Sequence, residues 1–217
     1  MNDVILLDFD GTITSRDTTR ILLSELIFLR PWYIFGTAWF LFKMVCANDS
    51  IIRQAHKNNA VGHLIAGLTL SDMGRVLSQF TKKVRALYRP SMVKKISEAI
   101  ENGTSVLIVT ASPSFAISYC VSDLPVTVIG TKFQKNGNIF SGHLNGRSCF
   151  GSEKVNRIEL WAQGRALDWS VTEAWSDDFS DYPMLKMAKQ RYWIGGEQLK
   201  RIVHERDPSG SFVLEID

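Results

Sequence analysis

The segment VILLDFDGT at residues 4–12 constrains the fold of this chain more than any other stretch. Residues 4–7 are apolar without alternation, which is typical of a strand buried on both faces of a parallel sheet. The Asp10-Gly11 pair would end that strand in a turn. Asp8 lies where the strand should still be buried, and a buried carboxylate is unfavourable unless it is paired or binds a cation. Asp8 and Asp10 point the same way on an extended chain, so the sequence predicts a cation in front of them.

The rest of the chain divides into a helical part and a part in which strands and helices alternate. We predict strands at 105–110, 126–130, 171–176, 192–195 and 211–216, and helices at 21–29, 71–88, 92–103, 112–124, 152–162 and 197–205. Asn136-Gly137 predicts a β-hairpin within 131–144, and Ser71 is the expected N-cap of the helix that begins there. Alternation after residue 100 indicates an α/β fold with a parallel sheet. We therefore predict an α/β core of residues 1–12 and 101–217, and a helical insert at 13–100.

Charge and cysteine content indicate the surroundings of the protein. Residues 13–100 carry 13 Lys and Arg against 5 Asp and Glu, a net charge of +8, whereas the whole chain has a net charge of only +3. This asymmetry favours an anionic partner for the insert.

The three cysteines, Cys46, Cys120 and Cys149, are widely spaced and odd in number, so we expect free thiols. We expect a cytoplasmic protein without a signal peptide, because an acidic strand begins almost at once.

Polar side chains follow several predicted strands at their carboxyl ends, where sites form in open α/β sheets. The segment 110–112 reads Thr-Ala-Ser, Asp177 and Asp178 follow the strand at 171–176, and Asp181 comes one helical turn later. Lys154 lies near the start of a helix between those strands. Taken singly, Asp177 and Asp178 could be N-caps, Asp181 a surface acid and Lys154 a solvated lysine. Together, carboxylates suit Mg²⁺, and a hydroxyl with a lysine suits a phosphate.

The motifs DFDGT, VLIVTAS, GSEK and SDDFSD resemble, in this order, the four motifs of the haloacid dehalogenase superfamily. Residues 129–154 resemble the hairpin-then-lysine region of the subfamily that contains phosphoserine phosphatases (subfamily IB). The resemblance covers nearly the whole chain. It implies a Rossmann-like core with an inserted helical cap of the first type, here residues 13–100. Ser176 and Asp178 depart from the family pattern, which often has glycine or serine there.

The resemblance assigns the catalytic roles. It implies that Asp8 is the nucleophile, which attacks phosphorus and becomes an aspartyl phosphate. Asp10 would protonate the leaving oxygen and then act as base on the hydrolytic water. Lys154 would neutralise charge on the nucleophile and on the phosphate. The presence of Asp10 excludes a dehalogenase, because dehalogenases of this family lack the second aspartate.

The resemblance also assigns the phosphate and metal ligands. Thr110 and the backbone N–H of Ala111 would bind the phosphate, together with Asp8 and Lys154. The implied Mg²⁺ ligands are the Asp8 carboxylate, the backbone carbonyl of Asp10, and Asp177. Asp181 would bind the metal or orient its shell.

The cap should set the substrate, and its segment 31–42 contains no charge. Pro31 and flanking charged residues argue against a membrane span, which needs about 20 uninterrupted apolar residues. One interpretation is a core helix of the cap. The other is an interfacial helix, with Trp32, Tyr33 and Trp39 at the headgroup boundary. The stretch 82–95 has six basic residues and no acidic residue, which suits anionic lipid.

These features predict a Mg²⁺-dependent phosphomonoesterase that acts near a membrane on a lipid phosphate. The cap also resembles that of bacterial phosphatidylglycerophosphate phosphatases. The alternatives are a soluble phosphatase for phosphoserine or another small phosphate, a phosphatase for phosphorylated proteins, and a catalytically inactive membrane-binding module. Asp17 lies where phosphoserine phosphatases have a substrate-reading acid, and it could equally cap a helix. We expect no nucleic-acid partner.

Overall fold

A six-stranded parallel sheet is the centre of the computed structural model, which describes residues 2–164 and 169–214. The described residues form eight strands, six of which belong to this sheet. They are β1 (Asn2–Leu7), β2 (Ser105–Pro113), β3 (Thr127–Thr131), β4 (Phe133–Asn136), β5 (Ile139–Leu144), β6 (Trp169–Ser176), β7 (Gln190–Gly195) and β8 (Ser211–Leu214). The order in the sheet is β3-β2-β1-β6-β7-β8, and β4 and β5 pair as a separate antiparallel hairpin. The predicted α/β fold and the hairpin at Asn136-Gly137 are confirmed.

Five of the helices in the described residues lie between β1 and β2. These are α1 (Thr19–Leu29), α2 (Ile34–Cys46), α3 (Ser50–Ile65), α4 (Gly74–Arg85) and α5 (Pro90–Glu101). The later helices are α6 (Ser114–Cys120), α7 (Ser152–Gln163), α8 (Tyr182–Leu185) and α9 (Glu197–Arg206).

The sequence of β1 explains its place at the centre of the sheet. Val4 and Leu6 pack into the apolar cluster on one face, and Ile5 and Leu7 pack into the cluster on the other. All four are at most 3% exposed, as the run without alternation predicts. In the sheet, β1 has β2 as its neighbour on one side and β6 on the other, so the strand order changes direction at β1. Ligand sites of open α/β sheets form at such a switch point, outside the carboxyl ends of the strands.

The five helices α1–α5 between β1 and β2, called the cap below, pack on one another and against the hairpin. α2 packs on α3, α1 packs on α4, and α3 lies against β5. A β-bridge between Thr14 and Tyr88 joins the outgoing and returning chain, and α5 packs against β2. The division between core and cap at 12/13 and 100/101 stays a prediction.

Two local expectations are wrong. Ser71 does not cap a helix, because α4 begins at Gly74, and Asp72 accepts hydrogen bonds from the Thr69 backbone and hydroxyl in the preceding turn. The helix predicted at 112–124 is confined to Ser114–Cys120, because β2 continues through Pro113 and a turn follows Cys120. In both cases a helix is present where the sequence predicts one, and only the residues at which the helix begins and ends differ.

Helix α2 and the turn before it are buried on one side only, with Phe40 and Leu41 against the core. Trp32 is 87% exposed and Phe35 is 82% exposed, and Trp39 and Phe42 are also more than half exposed. These four residues are called the aromatic face below. Thr37 is the buried residue of α2, which gives its opposite side to the packing against α3. None of the described helices is long and apolar enough to cross a membrane.

The basic stretch 82–95 is partly paired within the fold, and its expected contact with anionic lipid stays a prediction. Several of its basic side chains pair with acids elsewhere in the chain. These pairs are Lys83 with Glu25 at 2.6 Å, Arg85 with Asp123, and Lys95 with Glu173 at 3.1 Å. The net positive charge of this segment is therefore partly neutralised within the fold.

Candidate active site

A buried lysine joins two of the predicted acids at the end of β1. The Lys154 ammonium donates to Asp8 Oδ1 and to Asp181 Oδ2, each at 2.6 Å. Asp8 directly follows β1, and its backbone N–H donates to the carbonyl of Trp175 at 3.0 Å, which fixes it between β1 and β6. Lys154 is 2% exposed and Asp181 is 3% exposed. The interpretations of Lys154 as a solvated lysine and of Asp181 as a surface acid are therefore wrong.

The electrostatics of this cluster follow from its burial. Burial alone would lower the pKa of Lys154, but the carboxylates of Asp181 and Asp8 outweigh it and raise that pKa above its ordinary value. Burial raises the pKa of Asp8; Lys154 counteracts the increase, whereas the neighbouring Asp181 and Asp177 add to it. Lys154 therefore stays charged, and it does not fully compensate the carboxylates around it.

The second aspartate of the first motif lies in a turn that only glycine can complete. The turn spans Phe9–Ile13, and Gly11 has a φ of 82°. A Cβ at Gly11 would lie 1.9 Å from Oδ2 of Asp177. The turn brings Asp10 to the start of α1, where its Oδ1 accepts from the backbone N–H and the hydroxyl of Thr18, each at 2.6 Å. Its Oδ2 accepts from the hydroxyl of Ser112.

The expected phosphate-binding residues lie in the adjoining strand β2, close to its carboxyl end. Thr110 is fully buried, and its Oγ1 accepts from the backbone N–H of Ser112 at 3.0 Å, which leaves its hydroxyl proton free to donate elsewhere. Thr110 and Ala111 both line the pocket that contains Asp8.

The two acids after β6 have different surroundings. Asp177 accepts from the hydroxyl of Thr12 at 3.3 Å, and burial, with the charges of Asp178 and Asp181, raises its pKa to about 7. Asp178 accepts from the backbone N–H of Ser180 at 2.7 Å, so the N-cap interpretation is correct for Asp178. A carboxylate buried beside other acids is unfavourable unless a cation compensates it.

All the predicted site residues line one pocket of about 360 Å³. The pocket is lined by six carboxylates and three cationic side chains; these are Asp8, Asp10, Asp17, Asp177, Asp178 and Asp181, with Arg16, Lys57 and Lys154. This excess of carboxylates suits a bound divalent cation. The described residues contain no cluster of three or more Asp, Glu, His or Cys side chains ready to hold a metal. A set of two carboxylates completed by a backbone carbonyl and waters is nevertheless what Mg²⁺ often uses.

Asp181 is directed at Lys154 rather than into an acidic cluster. Its Oδ2 also accepts from the hydroxyl of Ser176 at 2.8 Å. Its expected role as a metal ligand stays a prediction, and these contacts favour a role in holding Lys154.

Asp17 lies at the pocket with a partner that the sequence does not reveal. Lys57, from α3, donates to Asp17 Oδ2 at 2.7 Å, while Asp17 Oδ1 accepts from the backbone N–H of Thr19 at 2.9 Å. Asp17 therefore supports the first turn of α1 and also contacts a cap lysine. The pair lowers the pKa of Asp17, since Lys57 and the Thr19 hydrogen bonds outweigh the effect of burial.

Sequence reasoning missed several contributors to this site, among them Arg16, Ser112, Thr18 and Lys57. Ser112 stands in the quoted Thr-Ala-Ser segment, so its position offered a signal. Lys57 is 40 residues from Asp17 on a helix whose sequence contains no motif, and only the tertiary fold brings the two together.

Solved structures share this fold over almost the whole chain. A protein of unknown function from Bordetella pertussis Tohama I superposes with a TM-score of 0.81 at 17% identity, covering 98% of each chain. A phosphoserine phosphatase, determined as an analogue of its phospho-aspartyl intermediate, superposes with a TM-score of 0.61 at 15% identity, covering 99% of this chain and 94% of that one. An apo phosphoserine phosphatase superposes with a TM-score of 0.62 at 14% identity, covering 100% of this chain and 94% of that one.

The sequence itself gives the family. No curated protein matches it significantly. The family of haloacid dehalogenase-like hydrolases matches residues 5–186, a span that includes all four motifs and the cap. The chain therefore belongs to the haloacid dehalogenase-like hydrolases, as its motifs predict.

Proposed function

We propose that this hydrolase is a Mg²⁺-dependent phosphomonoesterase that works through an aspartyl phosphate on Asp8. The observation that carries the proposal is the Lys154 ammonium, which lies 2.6 Å from Oδ1 of Asp8 in a pocket also lined by Thr110. A buried cation beside a nucleophilic carboxylate can stabilise the charge that develops on a transferring phosphoryl group. The phosphoserine phosphatases of similar fold support this type of chemistry.

In the first half-reaction, a carboxylate oxygen of Asp8 attacks phosphorus and forms a P–O bond, while the bond between phosphorus and the leaving oxygen breaks. Asp10 gives its proton to that oxygen, so the alcohol leaves neutral. Thr110 and the backbone N–H of Ala111 hold the phosphoryl oxygens. Lys154 reduces the repulsion between the phosphate and Asp8.

In the second half-reaction, Asp10 is a carboxylate and takes a proton from water. The water oxygen attacks phosphorus, and the bond between phosphorus and Asp8 breaks. Inorganic phosphate leaves, and both aspartates return to their starting states. The same residue therefore acts as acid and then as base.

Mg²⁺ fits the carboxylate-rich end of the pocket. The carboxylates of Asp8 and Asp177 and the backbone carbonyl of Asp10 would hold it. When bound, Mg²⁺ would neutralise phosphate charge and orient the phosphoryl group. Asp181 would keep Lys154 in place from the other side.

We propose that the substrate is presented at a membrane surface, as a lipid phosphate. The exposed aromatic face supports this, because Trp32 and Trp39 are amphipathic side chains of the kind found at headgroup level. The region from Leu26 to Ala47 contains Arg30 and Lys43 and no acidic residue, which suits an anionic membrane. A soluble small phosphate or a phosphorylated protein remains the alternative substrate.

A substrate panel with and without EDTA tests this function. The panel contains p-nitrophenyl phosphate, phosphoserine, phosphopeptides and phosphorylated lipids in vesicles, with Asp8→Asn as the negative control. We expect Mg²⁺-dependent release of phosphate that Asp8→Asn abolishes, with the lipid as the best substrate. Full activity in EDTA would contradict the mechanism, and a preference for phosphoserine or peptides would contradict the lipid substrate.

A further inference from the structure

The carboxylate of Asp10 is held by hydrogen-bond donors on both of its oxygens. Thr18 gives two donors to Oδ1, its backbone N–H and its hydroxyl, each at 2.6 Å. The hydroxyl of Ser112 donates to Oδ2. The two holding residues come from different parts of the chain, because Thr18 directly precedes α1 and Ser112 lies near the end of β2. Donors on both oxygens fix the rotation of the carboxylate about its last side-chain bond.

Ser112 is itself fixed in place. It is 2% exposed, and its hydroxyl lies 3.1 Å from the hydroxyl of Thr19, which is also buried. Its backbone N–H donates to Thr110 Oγ1 at 3.0 Å. The end of β2 therefore carries the hydroxyl expected to bind phosphate and the hydroxyl that holds the expected general acid.

We propose that Ser112 is a positioning residue of the acid–base Asp10, and that it sets this carboxylate in register with Thr110. This inference rests on the proposed function, in which Asp10 protonates the leaving oxygen. Proton transfer depends strongly on alignment, and a misplacement of about 1 Å can reduce a rate about 10²-fold. Thr18 supports the same orientation from the cap side, and Thr19 supports Ser112.

The dependence of the rate on the leaving group distinguishes misplacement of Asp10 from damage to the phosphate-binding residues Thr110 and Ala111. Release of p-nitrophenol needs little protonation, whereas release of an alkyl alcohol needs a proton from Asp10. For Ser112→Ala we expect the rate of leaving-group release in the first turnover, measured by rapid quench, to fall about 10²-fold with phosphoserine or glycerol phosphate. With p-nitrophenyl phosphate the fall should be far smaller. Thr18→Val, which removes one hydroxyl and keeps the backbone donor, should show the same pattern more weakly.

Two variants serve as controls. Ser112→Thr keeps a hydroxyl and should recover most of the alkyl-phosphate rate. Ser114→Ala removes a neighbouring hydroxyl that has no contact with Asp10, and it should leave both rates unchanged. Equal losses of Ser112→Ala on aryl and alkyl phosphates, or no loss on either, would overturn the proposal.

A crystal structure of the Ser112→Ala variant gives a test that does not depend on activity. We expect the Asp10 carboxylate to rotate away from the orientation it has in the wild type, with Thr110 unmoved. An Asp10 carboxylate that keeps its orientation in this variant would overturn the inference about Ser112. Absence of phosphatase activity in the wild type would instead refute the proposed function, so the two failures are distinguishable.

Discussion

Lys154 and Asp181 form an ion pair of 2.6 Å in which neither side chain is more than 4% exposed. The same ammonium reaches Asp8, so one cation is shared between a residue after β6 and the residue after β1. A buried charge without its partner is strongly destabilising, whereas a shared pair holds both carboxylates in place. The pair therefore stabilises the fold and also holds the positive charge of Lys154 beside Asp8.

Replacement of this lysine tests that double role. Lys154→Met leaves two buried carboxylates without their cation, and we expect the free energy of unfolding to fall by about 3–5 kcal/mol in urea titrations. Addition of Asp181→Asn should recover part of the loss, because it removes one of the unpaired charges. Lys189→Met, on the exposed surface, is the control and should change stability little. Additive losses in the double variant would contradict the coupling of Lys154 and Asp181.

Metal binding can be measured on the protein alone. Asp177→Asn should weaken Mg²⁺ binding more than tenfold in calorimetric titrations, because it removes a direct carboxylate ligand. The matched control is Asp178→Asn, in which asparagine can still accept the N-cap hydrogen bond from Ser180. We expect a much smaller effect from this control. An equal loss in both variants would mean that general negative charge, and not ligation by Asp177, attracts the metal.

The aromatic face gives a prediction about membranes. Replacement of Trp32, Phe35 and Trp39 by serine should abolish co-sedimentation with vesicles of anionic lipid, because these three side chains are more than half exposed. Turnover of p-nitrophenyl phosphate should remain. Leu160→Ser, at an exposed apolar residue of α7, is the control. Wild-type protein that stays in the supernatant at low salt would contradict a membrane role.

A buried carboxylate that does not line the pocket, that of Asp207, links stability to pH. Asp207 is 1% exposed and accepts from Arg191 at 2.8 Å and from the indole N–H of Trp193 at 2.9 Å. The hydrogen bonds from Arg191, followed by that of Trp193, lower its pKa despite burial. A lowered folded-state pKa means that this stabilisation is complete above the unfolded-state pKa of about 3.9 and is lost as the pH falls below it.

Asp207→Asn should therefore reduce the free energy of unfolding by about 2 kcal/mol at pH 7. The difference between wild type and variant should shrink as urea titrations are repeated towards pH 3. A difference that stays constant across this range would show that the charge of Asp207 contributes nothing.

The fold was predictable because its signals are local. The run Val4–Leu7 has no polar interruption, and Asn136-Gly137 has a specific turn chemistry, so each identified its element without reference to the rest of the chain. Helix ends were harder, as Ser71 shows, because the turn before α4 is closed by Asp72 and Thr69 instead.

The site was predictable only in part, for a physical reason. Asp8, Thr110 and Asp177 stand at strand ends, where the topology of a parallel sheet brings them together. Lys57 reaches the pocket from α3, and its contact with Asp17 depends on how the cap packs, which no local pattern encodes. The exposure of Trp32 and Phe35 could not be predicted for the same reason, because an apolar segment has the same sequence pattern whether it lies in a core or on a surface.

The central claim is that Asp8 carries the phosphoryl group during turnover, and it can be tested directly. Wild-type enzyme is mixed with p-nitrophenyl phosphate and Mg²⁺, quenched in acid within the first turnover, and treated with borohydride, which reduces an acyl phosphate to an alcohol. Peptide mass spectrometry should then find homoserine at position 8, and Asp8→Asn should give no such product. A phosphoryl group recovered on another residue, or a turnover-competent Asp8→Asn variant, would contradict the mechanism.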